Sequence, residues 1–260
     1  MKRVWKLPGK LRQRIGNKDN VKKLDLNAVP TNLTCLTYGF SGSGKTHFAS
    51  TWPKPRFLSD AFEKGWETTR NMDRTKFFDP TVMPEIIPIE TPKDMMEAIS
   101  ETGKEVIGKS KDAPQTLIID SLTFYADAFF EAVVKAQGAK VDTRGAYGDL
   151  LSHIRRLVLS THALPINIVW LALAKAPEDG VSGIMLAGKS ADKIPALCQY
   201  WLHARAFHNG KATQHEIRTR PFGQFPARCR DGGTLPEVLP EPTYKSFISE
   251  LTKQPVVATK

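Results

Sequence analysis

The sequence predicts a three-layer α/β fold with a mostly parallel central sheet and a C-terminal antiparallel hairpin. Short, almost wholly apolar β-prone runs at 116–119 and 166–172 alternate with longer segments of helical character. This pattern is typical of strands covered by helices on both faces of a sheet. Near the end of the chain, alternating runs at 201–207 and 213–219 flank Asn209-Gly210, which is a strong hairpin signal.

Composition indicates a folded chain rather than a disordered or membrane-spanning one. Of 260 residues, 41% are hydrophobic and 25% are charged, which suits one α/β domain of ordinary size with small attachments. The longest strongly apolar run, 168–174, is far shorter than the roughly 20 residues that cross a bilayer. The basic N-terminus has no apolar signal core, so we expect a cytoplasmic protein without membrane contact. Three distant cysteines predict neither a disulfide framework nor a zinc cluster.

The positive charge is concentrated at the N-terminus. Residues 1–23 contain nine basic side chains and one acid, a net charge of +8, so the other residues carry only +2 of the total +10. We therefore divide the chain into a basic arm at 1–29, a core domain at 30–242 and a C-terminal tail at 243–260. The arm could lie along nucleic-acid phosphates with Trp5 stacked on a base, or it could be a solvated tail.

The first predicted strand, at 33–38, leads into a glycine-rich turn that matches the phosphate-binding pattern G-x-x-x-x-G-K-[ST]. A helix is expected to follow over 47–51. Its positive end and the inward-turned amides of the glycines would hold phosphates. Lys45 would reach the β- and γ-phosphates of ATP, and the hydroxyl of Thr46 would bind Mg²⁺. The predicted nucleotide-binding residues are Gly39, Phe40, Ser41, Gly42, Ser43, Gly44, Lys45, Thr46 and His47.

The run at 116–119 ends at Asp120, which is the Walker B pattern. We expect Asp120 to be the second metal-binding group beside Thr46, so that Lys45, Asp120 and a further acid form the catalytic set. The alternative is that Asp120 only caps the following helix.

The acid that orients the attacking water does not stand at the usual position in this sequence. Many P-loop ATPases place a glutamate after the Walker B acid, but this chain has Ser121 there. Asp60 and Glu63 follow the second predicted strand, at 55–59, and would project from the carboxyl edge of the sheet. We expect Glu63 to be the catalytic residue, although either acid could instead cap a helix around 66–69. Further helices are predicted over 91–108, 122–136 and 147–163, with a hairpin or loop over 178–190.

These motifs together resemble the RecA-like ATPase core. The resemblance rests on Gly-Phe-Ser-Gly-Ser-Gly-Lys-Thr, Phe-Leu-Ser-Asp-Ala-Phe-Glu and Leu-Ile-Ile-Asp-Ser-Leu-Thr. With Tyr-Gly-Asp-Leu-Leu at 147–151 and two arginine-containing segments at 220–222 and 228–231, the chain is similar to compact, AAA-type P-loop proteins of phages that act as single-strand annealing recombinases. The likeness covers roughly residues 30–242. It implies ATP and Mg²⁺ as cofactors, ATP-stimulated binding and annealing of single-stranded DNA, a single-strand binding protein as helper, and a homo-oligomer in the host-cell cytoplasm.

Two positions depart from the RecA-like pattern, and two groups of basic residues have several possible roles. RecA-like proteins carry an Asp-Ala-Glu type sequence, whereas here Phe62 separates Ala61 from Glu63. Lys175 is the first polar candidate for a phosphate sensor after the strand near 166–174. In a polar loop at 137–146, Lys140 and Arg144 are candidate DNA contacts or plain surface residues. One of a group of arginines could reach a neighbouring protomer's γ-phosphate, or the group could be structural or bind DNA: Arg218, Arg220, Arg228 and Arg230.

Two other functions fit the same motifs. One is a phage motor or helicase-loading ATPase, and the other is a non-hydrolysing, nucleotide-dependent DNA-binding scaffold. A GTPase is disfavoured because the guanine-reading N-K-x-D pattern does not follow the Walker B strand.

Overall fold

The computed structural model of the protein describes residues 32–138, 142–178, 180–187 and 189–253. The predicted basic arm with Trp5, and Lys140 of the polar loop, lie outside these residues. The central sheet contains ten strands, listed here in chain order. They are β1 (Thr34–Gly39), β2 (Pro55–Asp60), β3 (Glu85–Ile89), β4 (Thr116–Asp120), β5 (Asn167–Glu178), β6 (Val181–Ile184), β7 (Tyr200–His208), β8 (Thr213–Arg218), β9 (Arg228–Cys229) and β10 (Val238–Pro240).

The fold is the predicted α/β architecture with a mostly parallel sheet. The strand order is β10-β8-β7-β1-β5-β4-β2-β3, with β6 paired to β5 and β9 paired to β7. Strands β7, β1, β5, β4, β2 and β3 run parallel. Strands β8, β9 and β10 add antiparallel pairs beside β7, and β6 pairs antiparallel with the end of β5. The parallel order brings the carboxyl ends of β1, β4 and β2 to one edge.

Six α-helices complete the described part of the chain. They are α1 (Lys45–Ser50), α2 (Pro92–Ile107), α3 (Leu122–Gln137), α4 (Thr143–His162), α5 (Ser190–Leu197) and α6 (Tyr244–Leu251). None of them is long and apolar enough to cross a membrane.

Alternate residues of the central strands face two separate cores, as expected for a buried sheet. On β4, Leu117 and Ile119 pack in the cluster that includes helices α2 to α5, whereas Ile118 belongs to the cluster that includes α1 and α6. All three side chains are completely buried. The molecule therefore has the three layers that the apolar runs predict.

Local capping explains where several helices begin. Thr91 and Asp94 form a reciprocal capping box at the start of α2. The Asp142 carboxylate accepts the Gly145 amide over 3.0 Å, so α4 starts at Thr143 rather than at the predicted residue 147. The segment expected to be a helix around 66–69 is a 3₁₀-helix, Gly65–Asn71.

Strand β5 is longer than the run at 166–172 predicts. It continues to Glu178, and its last residues pair antiparallel with β6. The hairpin expected over 178–190 therefore begins earlier, inside β5. The hairpin of β7 and β8 forms as predicted, with Ala204 opposite Ile217.

The segment from residue 243, which we expected to be a tail, contains helix α6 packed on the core. Phe247 is fully buried, and its ring lies 6.2 Å from Phe48 and 5.2 Å from Tyr200. The Tyr244 amide also donates to the Thr51 hydroxyl over 2.8 Å. Because these contacts join α6 to the helix after the glycine-rich turn, the packed structure extends beyond residue 242.

Candidate active site

The glycine-rich turn connects the end of β1 at Gly39 to the start of α1 at Lys45. Gly42 and Gly44 have φ angles of 74° and 90°, a region that side chains with a Cβ rarely adopt. Gly39 meets a different constraint, since a Cβ there would lie 2.2 Å from the carbonyl oxygen of Ala204 on β7. The spacing of the glycines is therefore required both by backbone conformation and by close packing.

A cavity of about 350 Å³ lies over this turn, within the range of small-molecule sites. Seven of the predicted nucleotide-binding residues, Ser41 to His47, line it. Gly39 and Phe40 are not among its lining residues, and they contribute their carbonyl groups to Lys45 instead. The other lining residues are Glu63, Gly65, Thr68, Asp120, Ser121, Leu173 and His215.

Lys45 is nearly buried at the base of the cavity. Its Nζ donates to the carbonyl oxygens of Gly39 and Phe40 over 3.0 and 2.9 Å. Burial lowers the pKa of Lys45, while the negative charges of Asp120 and Glu63 oppose that shift. The ammonium group is therefore held by two backbone carbonyls at the base of the cavity, where phosphate oxygens would be stronger, charge-assisted partners.

Asp120 ends β4 and contacts the turn directly. The Thr46 hydroxyl donates to Oδ2 of Asp120 over 3.1 Å. Burial raises the pKa of Asp120 to about 6, against the effects of the Thr46 hydrogen bond and the Lys45 charge. A Cβ at Gly65 would lie 3.3 Å from the same carboxylate oxygen, so glycine there keeps the approach to Asp120 open.

Glu63 and Asp60 differ in what their carboxylates do. Oδ1 of Asp60 accepts the amides of Phe62 and Glu63, each over 2.8 Å, which fixes the turn after β2. Glu63 lines the cavity and remains exposed as a whole residue. Partial burial raises the pKa of Glu63 to about 7, with a further increase from the charge of Asp120. Such a carboxyl group can accept a proton near neutral pH.

The oxygen atoms of Thr46 and Asp120 fit a magnesium ion. The buried Asp120 carboxyl group and the partly buried Glu63 carboxyl group, both with raised pKa values, face one cavity, an arrangement that a divalent cation would stabilise. The described residues contain no group of three or more His, Cys, Asp or Glu side chains suited to a metal. Magnesium needs no such group, since it takes one or two protein ligands together with phosphates and water.

His215 also lines the cavity, although no sequence motif indicates it. It comes from β8, and a Cβ at Gly44 would lie 2.8 Å from its Nδ1. Its ring is nearly parallel to that of His47, with 6.5 Å between centroids. His215 is 171 positions beyond Gly44, and no local pattern signals a contact over that separation.

The four candidate finger arginines all have partners within the chain. Arg220 pairs with Asp231 over 3.2 Å. Arg228 and Arg230 donate to backbone carbonyls at the end of α5 and just beyond it. Arg218 binds Glu216 over 2.8 Å, and Glu216 also binds Arg205 over 3.1 Å.

The remaining candidates lie away from the cavity lining. Arg144 is exposed in the first turn of α4. Lys175 is not a lining residue, and the strand instead contributes Leu173. The Leu173 amide donates to the Thr123 hydroxyl over 3.0 Å.

Comparison with known proteins agrees with this geometry. A family model described as an AAA domain matches residues 31–230. A search of curated proteins found no match to the chain. The matched range contains the glycine-rich turn, Glu63, Asp120 and His215, and it covers most of the sequence. The chain therefore belongs to the AAA domain family and carries a nucleotide-binding domain of the P-loop ATPase type.

Proposed function

We propose that the protein binds Mg-ATP in the cavity over the glycine-rich turn and hydrolyses it. The observation that carries this function is the convergence of Lys45, Thr46, Asp120 and Glu63 on one cavity. A cation, two oxygen ligands and an acid of raised pKa are the groups that phosphoryl transfer to water needs.

Each side chain has a separate role. Lys45 leaves its carbonyl partners and donates to the β- and γ-phosphate oxygens. Glu63 accepts a proton from water as the water oxygen attacks the γ-phosphorus and the bond to the bridging oxygen breaks. Thr46 and Asp120 would hold Mg²⁺, which neutralises charge on the phosphates when bound.

Phosphate release from ATP tests this function. The wild-type protein should release phosphate in a magnesium-dependent reaction, and Lys45→Ala should abolish it. Glu67→Gln, at an exposed position in the neighbouring 3₁₀-helix, is the matched control and should keep the wild-type rate. Turnover by Lys45→Ala at the wild-type rate would exclude this cavity as the active site.

A second function, nucleotide-dependent binding and annealing of single-stranded DNA, is favoured by a basic aromatic cluster formed by Arg205 of β7, Arg218 of β8 and Phe222 in the loop after β8. The guanidinium groups of Arg218 and Arg205 lie 4.1 and 5.1 Å from the ring centroid of Phe222. Phe222 is 42% exposed. Both arginines also bind Glu216, and their remaining N–H groups could pair with phosphates while a base stacks on the ring.

We propose that this cluster and the arm at residues 1–23 both contact DNA, and that ATP sets the DNA affinity of a homo-oligomer. We further propose a phage origin, a location in the host-cell cytoplasm and help from a single-strand binding protein, which only the resemblance to phage annealing proteins supports.

Labelled single-stranded DNA tests the second function. Titration at two salt concentrations, with and without ATP, should show tighter binding with ATP and a steep loss with salt. Phe222→Ala should weaken binding about 5- to 100-fold if one base stacks there. Ile107→Ala, at an exposed apolar position on α2, should leave it unchanged.

Deletion of 1–23 should lower DNA affinity and spare ATP binding, whereas unchanged affinity would remove the arm from the DNA-binding surface.

Two further outcomes would identify the alternatives. Unwinding of a forked duplex would indicate a motor or helicase-loading ATPase. Annealing that persists in Lys45→Ala would indicate a scaffold for which nucleotide is structural.

A further inference from the structure

His215 lines two cavities. On one side it lines the cavity over the glycine-rich turn. On the other side it lines a second cavity of about 330 Å³, together with Phe207, Gln214, Glu216, Pro240 and Glu241. The two cavities therefore adjoin at His215.

The second cavity combines apolar surfaces with polar groups at its rim. Phe207 and Pro240 supply the apolar surfaces, whereas Gln214 and Glu241 are exposed and carry amide and carboxylate groups. The Glu216 carboxylate is already engaged by Arg205 and Arg218. Apolar walls with a few polar groups suit a heterocyclic base and a ribose.

Backbone and ring contacts fix the boundary between the cavities. The Glu241 amide donates to the His215 carbonyl oxygen over 3.1 Å, which holds the turn after β10 against β8. The His47 and His215 rings are nearly parallel, with 14° between their planes. Two flat rings at the mouth of a cavity present surfaces on which a third ring can stack.

We propose that the second cavity is the nucleoside subsite, in which the base and ribose of the nucleotide lie beyond His215 while the phosphates lie on the glycine-rich turn. This assignment rests on the proposed function. The phosphates and the nucleoside are then held by different parts of the chain. The turn after β1 and the start of α1 bind the phosphates, and β8 with the turn after β10 binds the nucleoside.

Calorimetric titration of the full chain with Mg-ATP and with Mg-tripolyphosphate separates the two halves of the ligand. Wild-type protein should bind ATP more tightly than tripolyphosphate. His215→Ala should lower the affinity for ATP about tenfold through lost stacking. The affinity for tripolyphosphate should fall much less, since His215 only borders the phosphate cavity. His208→Ala, at an exposed position on the same hairpin, should change neither affinity.

A second variant keeps the test decisive if His215→Ala does not fold. Gln214→Trp, at an exposed position, places a large ring in the second cavity. It should lower the affinity for ATP and leave the affinity for tripolyphosphate unchanged. An equal loss of affinity for both ligands, or no change in the affinity for ATP, would overturn the assignment of the second cavity as the nucleoside subsite. If wild-type protein binds neither ligand, the proposed ATP site itself fails, which is a separate result.

Discussion

The Thr46 hydroxyl donates to the Asp120 carboxylate over 3.1 Å, and this bond joins the start of α1 to the end of β4. Strand β5 lies between β1 and β4 in the sheet, so the contact spans two strand spacings. It brings the two oxygen groups that would bind magnesium to within hydrogen-bond distance before any ligand arrives.

Asp120→Asn should stabilise the ligand-free protein at alkaline pH and abolish its response to Mg-ATP. Burial raises the pKa of Asp120 to about 6, so the folded state holds its proton more tightly than the unfolded state does. Stability therefore falls as pH rises from about 4 through 6, and the loss is complete above that range. The variant should gain on the order of 3 kcal/mol at pH 8.

Thermal unfolding in a chelator at pH 4.5 and pH 8 measures this difference. The melting temperature of the variant should exceed that of the wild type mainly at pH 8. Lower stability of Asp120→Asn at pH 8 would contradict the cost assigned to the buried charge.

Glu63→Gln should reduce ATP turnover by about 10² to 10⁴ and change ATP affinity little, because general-base catalysis contributes about that much. The pKa of Glu63 is raised to about 7, so the carboxylate that accepts the proton prevails only above that pH. Wild-type kcat/KM should rise up to pH 7 and then level off.

The pH dependence distinguishes Glu63 from a residue that only supports the site. The profile of Glu63→Gln should lack the rise near pH 7. If the variant keeps that rise, another group is the base. Asp60→Asn serves as the comparison, since the Asp60 carboxylate caps the turn after β2. Its loss should lower the stability of the fold and have a smaller effect on the rate of ATP hydrolysis.

Gly39→Ala should destabilise the fold by about 2 kcal/mol or more, because overpacking against backbone cannot be relieved by a rotamer change. The added Cβ would lie 2.2 Å from the Ala204 carbonyl oxygen. Gly148→Ala is the matched control, since it lies within α4 and nothing is within 4 Å of the added Cβ. Chemical denaturation should show stabilisation of Gly148→Ala by about 0.5 to 1 kcal/mol.

Phe247→Ala should cost about 3 to 5 kcal/mol, the usual cost of removing a buried aromatic ring. Phe247 packs near Phe48 of α1, so ATP affinity should fall as well. Ser249→Ala, at an exposed position on α6, should leave stability close to that of the wild type. Wild-type stability for Phe247→Ala would show that α6 is dispensable.

Local patterns predicted the parts of the fold that depend on neighbouring residues. The glycine turn, the apolar run before Asp120 and the Asn209-Gly210 hairpin each express their conformation within a few positions. Helix α4 begins at Thr143, before the predicted residue 147, because the capping role of Asp142 depends on side-chain geometry.

Contacts between distant segments could not be predicted in the same way. His215 reaches Gly44 only because β8 pairs with β7, which in turn pairs with β1. Arg56 is another example, since it is nearly buried on β2 and binds Glu85 and Glu105 over 2.7 and 2.8 Å. The sequence around Arg56 does not indicate that its side chain is buried, because its partners lie on β3 and α2.

Calorimetric titration of the intact protein with Mg-ATP tests the central claim most directly. Wild-type protein should bind one nucleotide per chain, and folded Lys45→Ala should lose most of that affinity. No binding heat from folded wild-type protein, or equal affinity in Lys45→Ala, would contradict a nucleotide site built on the glycine-rich turn and Asp120.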